Sequence, residues 1–256
     1  MQMLRKLLSS PCVAALILVL VACSGSAGAD NGPAGLKILV YGASGKVGSE
    51  VIDEALRRGH IVTAVSRDPS RIDKTGDNLS VVQGNVLDDE SIAKLVVDQD
   101  VVIISVRGVI GKSKNPDDAV PRIAVEKMVN ALRASGQGAA RLIHVGGSGS
   151  LEVKPGVTYA DTLPMIFIPR KLQTEIEGQV LALEYLRKVS DVQWSYATPA
   201  KNFTNGKRTG VFRIGGDRLM EDSLGRSRIS RADFAVALID EAESAEHVQQ
   251  RFSVVY

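Results

Sequence analysis

"ILVYGASGKVGSEVI", residues 38–52, decides the fold. Its first half is apolar at every position, the pattern of a strand buried on both faces of a parallel sheet. Its second half places Val47, Val51, Ile52 and, just beyond, Leu56 on one helical face. Between them stand Gly42, Gly45 and Gly48, a G-x-x-G-x-x-G spacing with Ala43, Ser44, Lys46 and Val47 interleaved. Gly42 suits the tight turn, Gly45 a close approach of the backbone to a pyrophosphate, and Gly48 a helix lying close to the sheet. The first-turn amides of such a helix, with ~+0.5 of dipole charge, present a site for phosphate.

Downstream the same alternation repeats. Strands are expected at 61–67, 78–86, 100–106, 140–147, 192–199 and 251–256. Helices are expected at 88–96, from Pro116 to a stop at Gly136, at 170–189 and at 229–244, with a long loop over 148–169. Continuous apolar strands alternating with helices imply an α/β fold: a Rossmann-type, doubly wound parallel sheet in a single domain over residues 36–256. A glycine loop that follows the first strand and opens the first helix of such a series predicts dinucleotide binding.

The end of strand two selects the dinucleotide. An acidic residue there accepts hydrogen bonds from a ribose 2′-hydroxyl, whereas a guanidinium binds a 2′-phosphate. This chain has Ser66 and Arg67, with Arg71 a turn later, and so favours NADP(H) over NAD(H). Ligands of such sheets lie beyond the carboxyl ends of the strands. By that rule Asn85 and Val86 flank the adenine, and Ser105, Val106 and Arg107 line the ribose and pyrophosphate. Gly146, Gly147, Ser148, Pro199, Ala200 and Lys201 face the nicotinamide.

Upstream, residues 1–22 read as a signal peptide: a short basic start, then the 12-residue apolar segment "PCVAALILVLVA". That segment is shorter than the ~20 residues needed to span a bilayer. It ends in Leu20-Val21-Ala22-Cys23, which resembles the lipobox of bacterial lipoproteins and implies cleavage before Cys23 and acylation of it. Residues 23–35 have the small, polar, glycine-rich composition of a flexible tether. The expected location is therefore the cell envelope, with the membrane reached through lipid on Cys23, or the cytoplasm if the leader is not functional. Of the two cysteines only Cys23 remains after cleavage, which leaves none for a disulfide, thiol chemistry or a metal site. Loss of Arg5 and Lys6 with the leader reduces 31 basic residues to 29, equal to the 29 acidic ones, so nucleic acid is not an expected partner.

The segments "YGASGKVG", "SRDPSR", "GNVLDDESI", "VGGSGSLEV", "PGVTYADT", "YATPA", "RTGVFRIGGD" and "RISRADFAVALIDE" resemble atypical short-chain dehydrogenases of the NADH–flavin reductase type. Biliverdin-IXβ/flavin reductase is a more distant likeness. The resemblance covers about 36–256 and implies a nicotinamide coenzyme with a flat acceptor stacked on its ring, flavin being substrate rather than resident cofactor. It also matches Arg67 and Arg71 to arginines that hold the 2′-phosphate. The stretch "LPMIFIPRK" departs from the acidic, aromatic pattern of that group and leaves the acceptor open.

Carbonyl-reducing members of the wider class use a Tyr-x-x-x-Lys pair for proton transfer. Here the residues four beyond Tyr41, Tyr159, Tyr185 and Tyr196 are Gly45, Leu163, Val189 and Ala200. Hydride transfer to a delocalised ring needs mainly two rings held face to face. A small-molecule acceptor of flavin or quinone type is therefore expected, with Ser148, or less readily Lys201, able to hydrogen-bond it. A non-catalytic NADP(H)-sensing module fits the same residues. His144 reads as core, His60 and His247 as peripheral, and Trp194 as packing. Oligomeric state is not legible.

Overall fold

The apolar run after Leu36 forms β1, Lys37–Tyr41, whose last four residues are buried. The computed structural model describes residues 35–136 and 138–256; the leader, Cys23 and all but the last residue of the tether lie outside them. The elements that follow are α1 (Lys46–Arg57), β2 (Ile61–Ser66), β3 (Leu79–Gln83), α2 (Asp89–Leu95), β4 (Val101–Ile104), α3 (Val120–Ser135) and β5 (Arg141–Val145). Then come β6 (Glu152–Lys154), β7 (Val157–Thr158), α4 (Arg170–Leu186), β8 (Trp194–Pro199), β9 (Asn202–Thr204), β10 (Arg213–Gly215), β11 (Arg228–Ser230), α5 (Arg231–Ser244) and β12 (Gln250–Val255).

Eight strands form one sheet in the order β10-β12-β8-β5-β4-β1-β2-β3. All neighbours are parallel except β10, which runs antiparallel to β12 at the edge. One face is covered by α1 and α5, whose Val51, Ile52, Phe234 and Leu238 pack on Ile38, Val40 and Ile103. The other is covered by α2, α3 and α4, with Ile92, Met128, Leu132 and Leu183 against Leu39, Val102 and Tyr196. This is the doubly wound sheet expected. The chain leaves β1 toward β2 and β3 on one side and returns through β4 on the other, so a crevice opens between the loops after β1 and β4.

Three expectations change in detail. The helix expected from Pro116 is a single turn over Pro116–Asp118, and α3 begins only at Val120. Ala119 is extended there because it bridges Val109, with Ile110 N donating to Asp118 O at 3.0 Å and Val120 N to Gly108 O at 2.9 Å. The third strand stops at Gln83, since Asn85 turns the chain by accepting from Leu87 N at 3.1 Å. His60 is buried, accepting from Leu36 N at Nδ1 (3.2 Å) and meeting Glu243 Oε1 through Nε2 (2.9 Å), so it clamps the start of β1 to α5. His144 and Trp194 are core residues as expected. Among the described residues no helix is long and apolar enough to cross a membrane.

The excursion between β9 and β11 is held largely by charge. Glu54 on α1 is 1% exposed and receives Arg208 through Nε at 2.7 Å and Nη2 at 2.9 Å, Arg58 Nε at 2.8 Å, and Arg57. Burial alone would raise its pKa, but these guanidinium groups outweigh it and hold the carboxyl well below the usual range. Its stabilising contribution is therefore complete at neutral pH and declines as the pH falls through and below the unfolded-state value of ~4.3. Glu54→Gln should lower stability by about 2 kcal/mol at pH 7. The deficit should shrink toward pH 3, which urea denaturation at both pH values will measure.

Candidate functional site

The crevice is set by backbone contact. Gly42 has φ +80°, and a Cβ there would lie 2.1 Å from the carbonyl oxygen of Ser105. No other residue type fits without driving the loop after β1 away from the loop after β4. Gly45 N donates to Gly42 O at 2.9 Å to close the turn, and Gly45 is the residue from which α1 starts. No side chain caps α1, and its first turn has no acidic residue. Its leading amides thus face the cleft with Lys46 beside them.

A cleft of about 1010 Å3 extends from this turn over the carboxyl ends of the strands. Gly42, Ser44, Gly45, Lys46 and Val47 form its centre. Ser66, Arg67 and Arg71 edge one end near Asn85 and Val86; Ser105, Val106 and Arg107 form the middle; Gly146, Gly147, Ser148, Pro199, Ala200 and Lys201 line the other end. Ala43 and Gly48 stand beneath the loop instead. Ala43 is 1% exposed within the core, and a Cβ on Gly48 would come within 2.3 Å of Gly42 O, so both shape the turn from below.

Local hydrogen bonds fix the two ends differently. Ser66 Oγ donates to Asp68 O at 2.8 Å, and Asp68 caps the short turn that follows by accepting from Ser70 N. The guanidinium groups of Arg67 and Arg71 are exposed at the cleft edge. Arg107 lines the cleft and is held at its wall, where its Nε donates to Glu175 Oε1 of α4 at 2.6 Å.

At the far end the turn Ser148–Ser150 is supported from below. Ser150 Oγ donates to Gly147 O at 3.0 Å. Arg251 of β12, 7% exposed, donates to Ser150 O at 2.8 Å and Ser150 Oγ at 3.0 Å, and is itself held by Asp217 at 2.7 Å. His144, Tyr196 and Arg251 are register partners across β5, β8 and β12, a polar row in a sheet read as apolar. Tyr196 Oη donates to Gln179 O at 2.8 Å, and His144 Nε2 meets Gln179 Oε1 at 3.2 Å. Complete burial pushes His144 down to about 4, against a weaker opposing hydrogen bond to Gln179 Oε1, so its imidazole is neutral at physiological pH.

Several cleft residues were not anticipated: Tyr41, Tyr159, Leu163, Leu172, Ile176, Gln179, Phe203 and Arg231. They come from strand ends, loops and helix faces whose convergence depends on tertiary structure; Tyr41, Tyr159 and Arg231 lie in the family-like segments quoted above, but nothing local there marks them as cleft residues. Tyr159 and Lys201 meet there although 42 positions separate them in sequence. Lys201 Nζ lies 5.4 Å from the centroid of the Tyr159 ring and donates to Glu221 Oε1 at 2.5 Å. It therefore faces the ring and a carboxylate, unlike the lysine of a Tyr-x-x-x-Lys pair.

Comparison with known proteins follows the same outline. A family described as NAD(P)H-binding matches residues 42–245. A solved structure from Burkholderia pseudomallei, provisionally named an exported protein, is 34% identical with a TM-score of 0.73 over 86% of this chain and 100% of that one. A Bacteroides thetaiotaomicron structure, provisionally named an epimerase, is 32% identical with a TM-score of 0.77 over 86% of this chain and 97% of its own. SP1627 from Streptococcus pneumoniae TIGR4, provisionally named an NADH-flavin reductase, is 27% identical with a TM-score of 0.69 over 86% and 99%.

Gly146 permits the polar row to sit under the cleft, because a Cβ there would lie 2.0 Å from Tyr196 Cε1. Gly146→Ala should displace the ring and cost about 2 kcal/mol. The loss should be largely absent when the same change is made on a Tyr196→Ala background, a non-additivity that a denaturation cycle over the four proteins will read.

Proposed function

Because the chain belongs to the NAD(P)H-binding family, we propose that it is an oxidoreductase in which a reduced nicotinamide supplies hydride to a flavin- or quinone-like acceptor. The observation that carries this reading is the continuity of one cleft from the Arg67–Arg71 edge, past the uncapped start of α1, to the Ser148–Lys201 end. The residues present fit a dinucleotide. The glycine turn leaves its backbone bare, the leading amides of α1 and Lys46 offer positive potential to a pyrophosphate, and the two guanidinium groups at the cleft edge suit a 2′-phosphate. NADP(H) is thus the preferred coenzyme, and flavin, where it enters, is a substrate.

The chain's own part in the reaction is orientation. Gly147 and Pro199 bound the nicotinamide end, and Leu163, Leu172 and Ile176 offer an apolar wall to a flat acceptor. Ser148 is the hydroxyl placed to hydrogen-bond the acceptor, and its turn is steadied by Ser150 and Arg251. The provisional name of the pneumococcal relative agrees with a flavin acceptor. The missing Tyr-x-x-x-Lys pair favours a ring acceptor over carbonyl or sugar chemistry, and it equally suits a non-catalytic NADP(H)-sensing role. The provisional name of the Burkholderia relative supports an exported domain, and with the Leu20–Cys23 segment it favours an envelope lipoprotein.

NADPH oxidation should saturate with FMN, riboflavin or a quinone, whereas a sensor binds NADPH without turnover on any of them. Arg67→Asp should weaken NADPH by about 10- to 100-fold and leave NADH within a few-fold, the range set by losing one charge-assisted hydrogen bond. Coenzyme fluorescence titration measures both. Equal loss for the two coenzymes would remove Arg67 from 2′-phosphate recognition.

A further inference from the structure

The stretch "LPMIFIPRK" builds a surface that the coenzyme reading does not use. Met165–Phe167 is a single helical turn between Pro164 and Pro169, and it holds Ile166 and Phe167 in solvent at 87% and 83% exposure. The turn is not loose. Gln173 Nε2 donates to Met165 O and to Ile168 O, both at 2.7 Å, and Arg170 donates to Gln173 Oε1 at 2.8 Å. A rigid mount that aims two large apolar side chains at water costs free energy unless something covers them.

The surroundings identify the cover. Arg170 also reaches Lys114 O at 3.4 Å, which brings the 108–116 loop alongside, with Ile110 47% exposed. The two segments, 108–116 and 164–172, together carry Lys112, Lys114, Arg170 and Lys171, all exposed, and no acidic residue. Apolar tips ringed by cations match the boundary of an anionic bilayer, where rings and aliphatic groups enter the headgroup layer and ammonium and guanidinium groups meet lipid phosphates. On either side of the turn, Leu163 and Leu172 line the cleft itself, so the patch is continuous with the cleft mouth.

We propose that this turn is a membrane-docking element that seats the mouth of the cleft on an anionic lipid surface. The proposal extends the envelope reading above and gives the protein a lipid contact other than acyl-Cys23. It also favours an acceptor of membrane-soluble, quinone-like chemistry, since such a molecule could enter between Leu163 and Leu172 without crossing water.

Residues 35–256 correspond to nearly the whole of each relative described above, and they carry their own core, so this unit can be tested without the lipid. The experiment is co-sedimentation with vesicles of phosphatidylcholine alone or with about one-third phosphatidylglycerol. The domain should partition onto the anionic vesicles, and 0.5 M NaCl should weaken this. Ile166→Ser with Phe167→Ser should reduce it at least about tenfold, as should Arg170→Glu with Lys171→Glu. NADPH titration of every variant reports folding and tests the coenzyme reading separately, so either claim can fail alone. No partition on anionic vesicles, or partition unchanged by the Ile166/Phe167 substitutions, would overturn the proposal. A concentration-dependent dimer abolished by those substitutions, without vesicle binding, would assign the patch to a second copy and overturn it equally.

Discussion

The cleft depends on three stretches of backbone meeting without side chains between them. Gly42 touches the carbonyl of Ser105, and Gly48 in turn touches the carbonyl of Gly42. The loop after β1, the loop after β4 and the first turn of α1 are thereby brought to van der Waals distance at the point where strand order reverses. Close contact here leaves the amides of α1 open and directs the exits of β4 and β5 over them. If any one of these contacts were widened by a methyl group, the central part of the cleft would lose its floor.

Much of this was legible in the chain because it is written in local patterns. The apolar runs of β1 and β4 lie side by side within the sheet, and their continuity could mean little else. The residues at the strand ends followed from topology, which explains why Ser66, Ser105, Gly147 and Pro199 all reach one cleft. What could not be read was non-local. Arg107 answers to Glu175, 68 positions away, and Tyr159, just after β7, meets Lys201, just after β8, across 42 positions. The strands β9, β10 and β11 have three residues each, too few for a period to register. His60 looked peripheral because its two partners, the amide of Leu36 and Glu243, come from opposite ends of the domain.

Carboxylates do in the irregular second half what apolar packing does in the sheet. Glu54 grips Arg208; Asp233 receives Thr209 N at 2.7 Å, Gly210 N at 2.8 Å and Tyr256 Oη at 2.6 Å; Asp217 joins Arg187 to Arg251. Each ties the excursion over residues 205–222 to a different regular element. Hydrogen-bonded ions give direction where methyl groups give only cohesion, and a segment with few apolar residues gains a defined path from them.

The bond from Arg251 to Ser150 has a temporal side. Its two ends are 101 residues apart, and Arg251 belongs to the last strand of the sheet. During synthesis the glycine turn after β1 can form early, but the Ser148–Ser150 turn lacks its guanidinium until nearly the whole domain has left the ribosome. The two halves of the cleft are therefore completed at different moments. A nascent domain thus orders the glycine-turn half of the cleft before the half built on Ser148–Ser150.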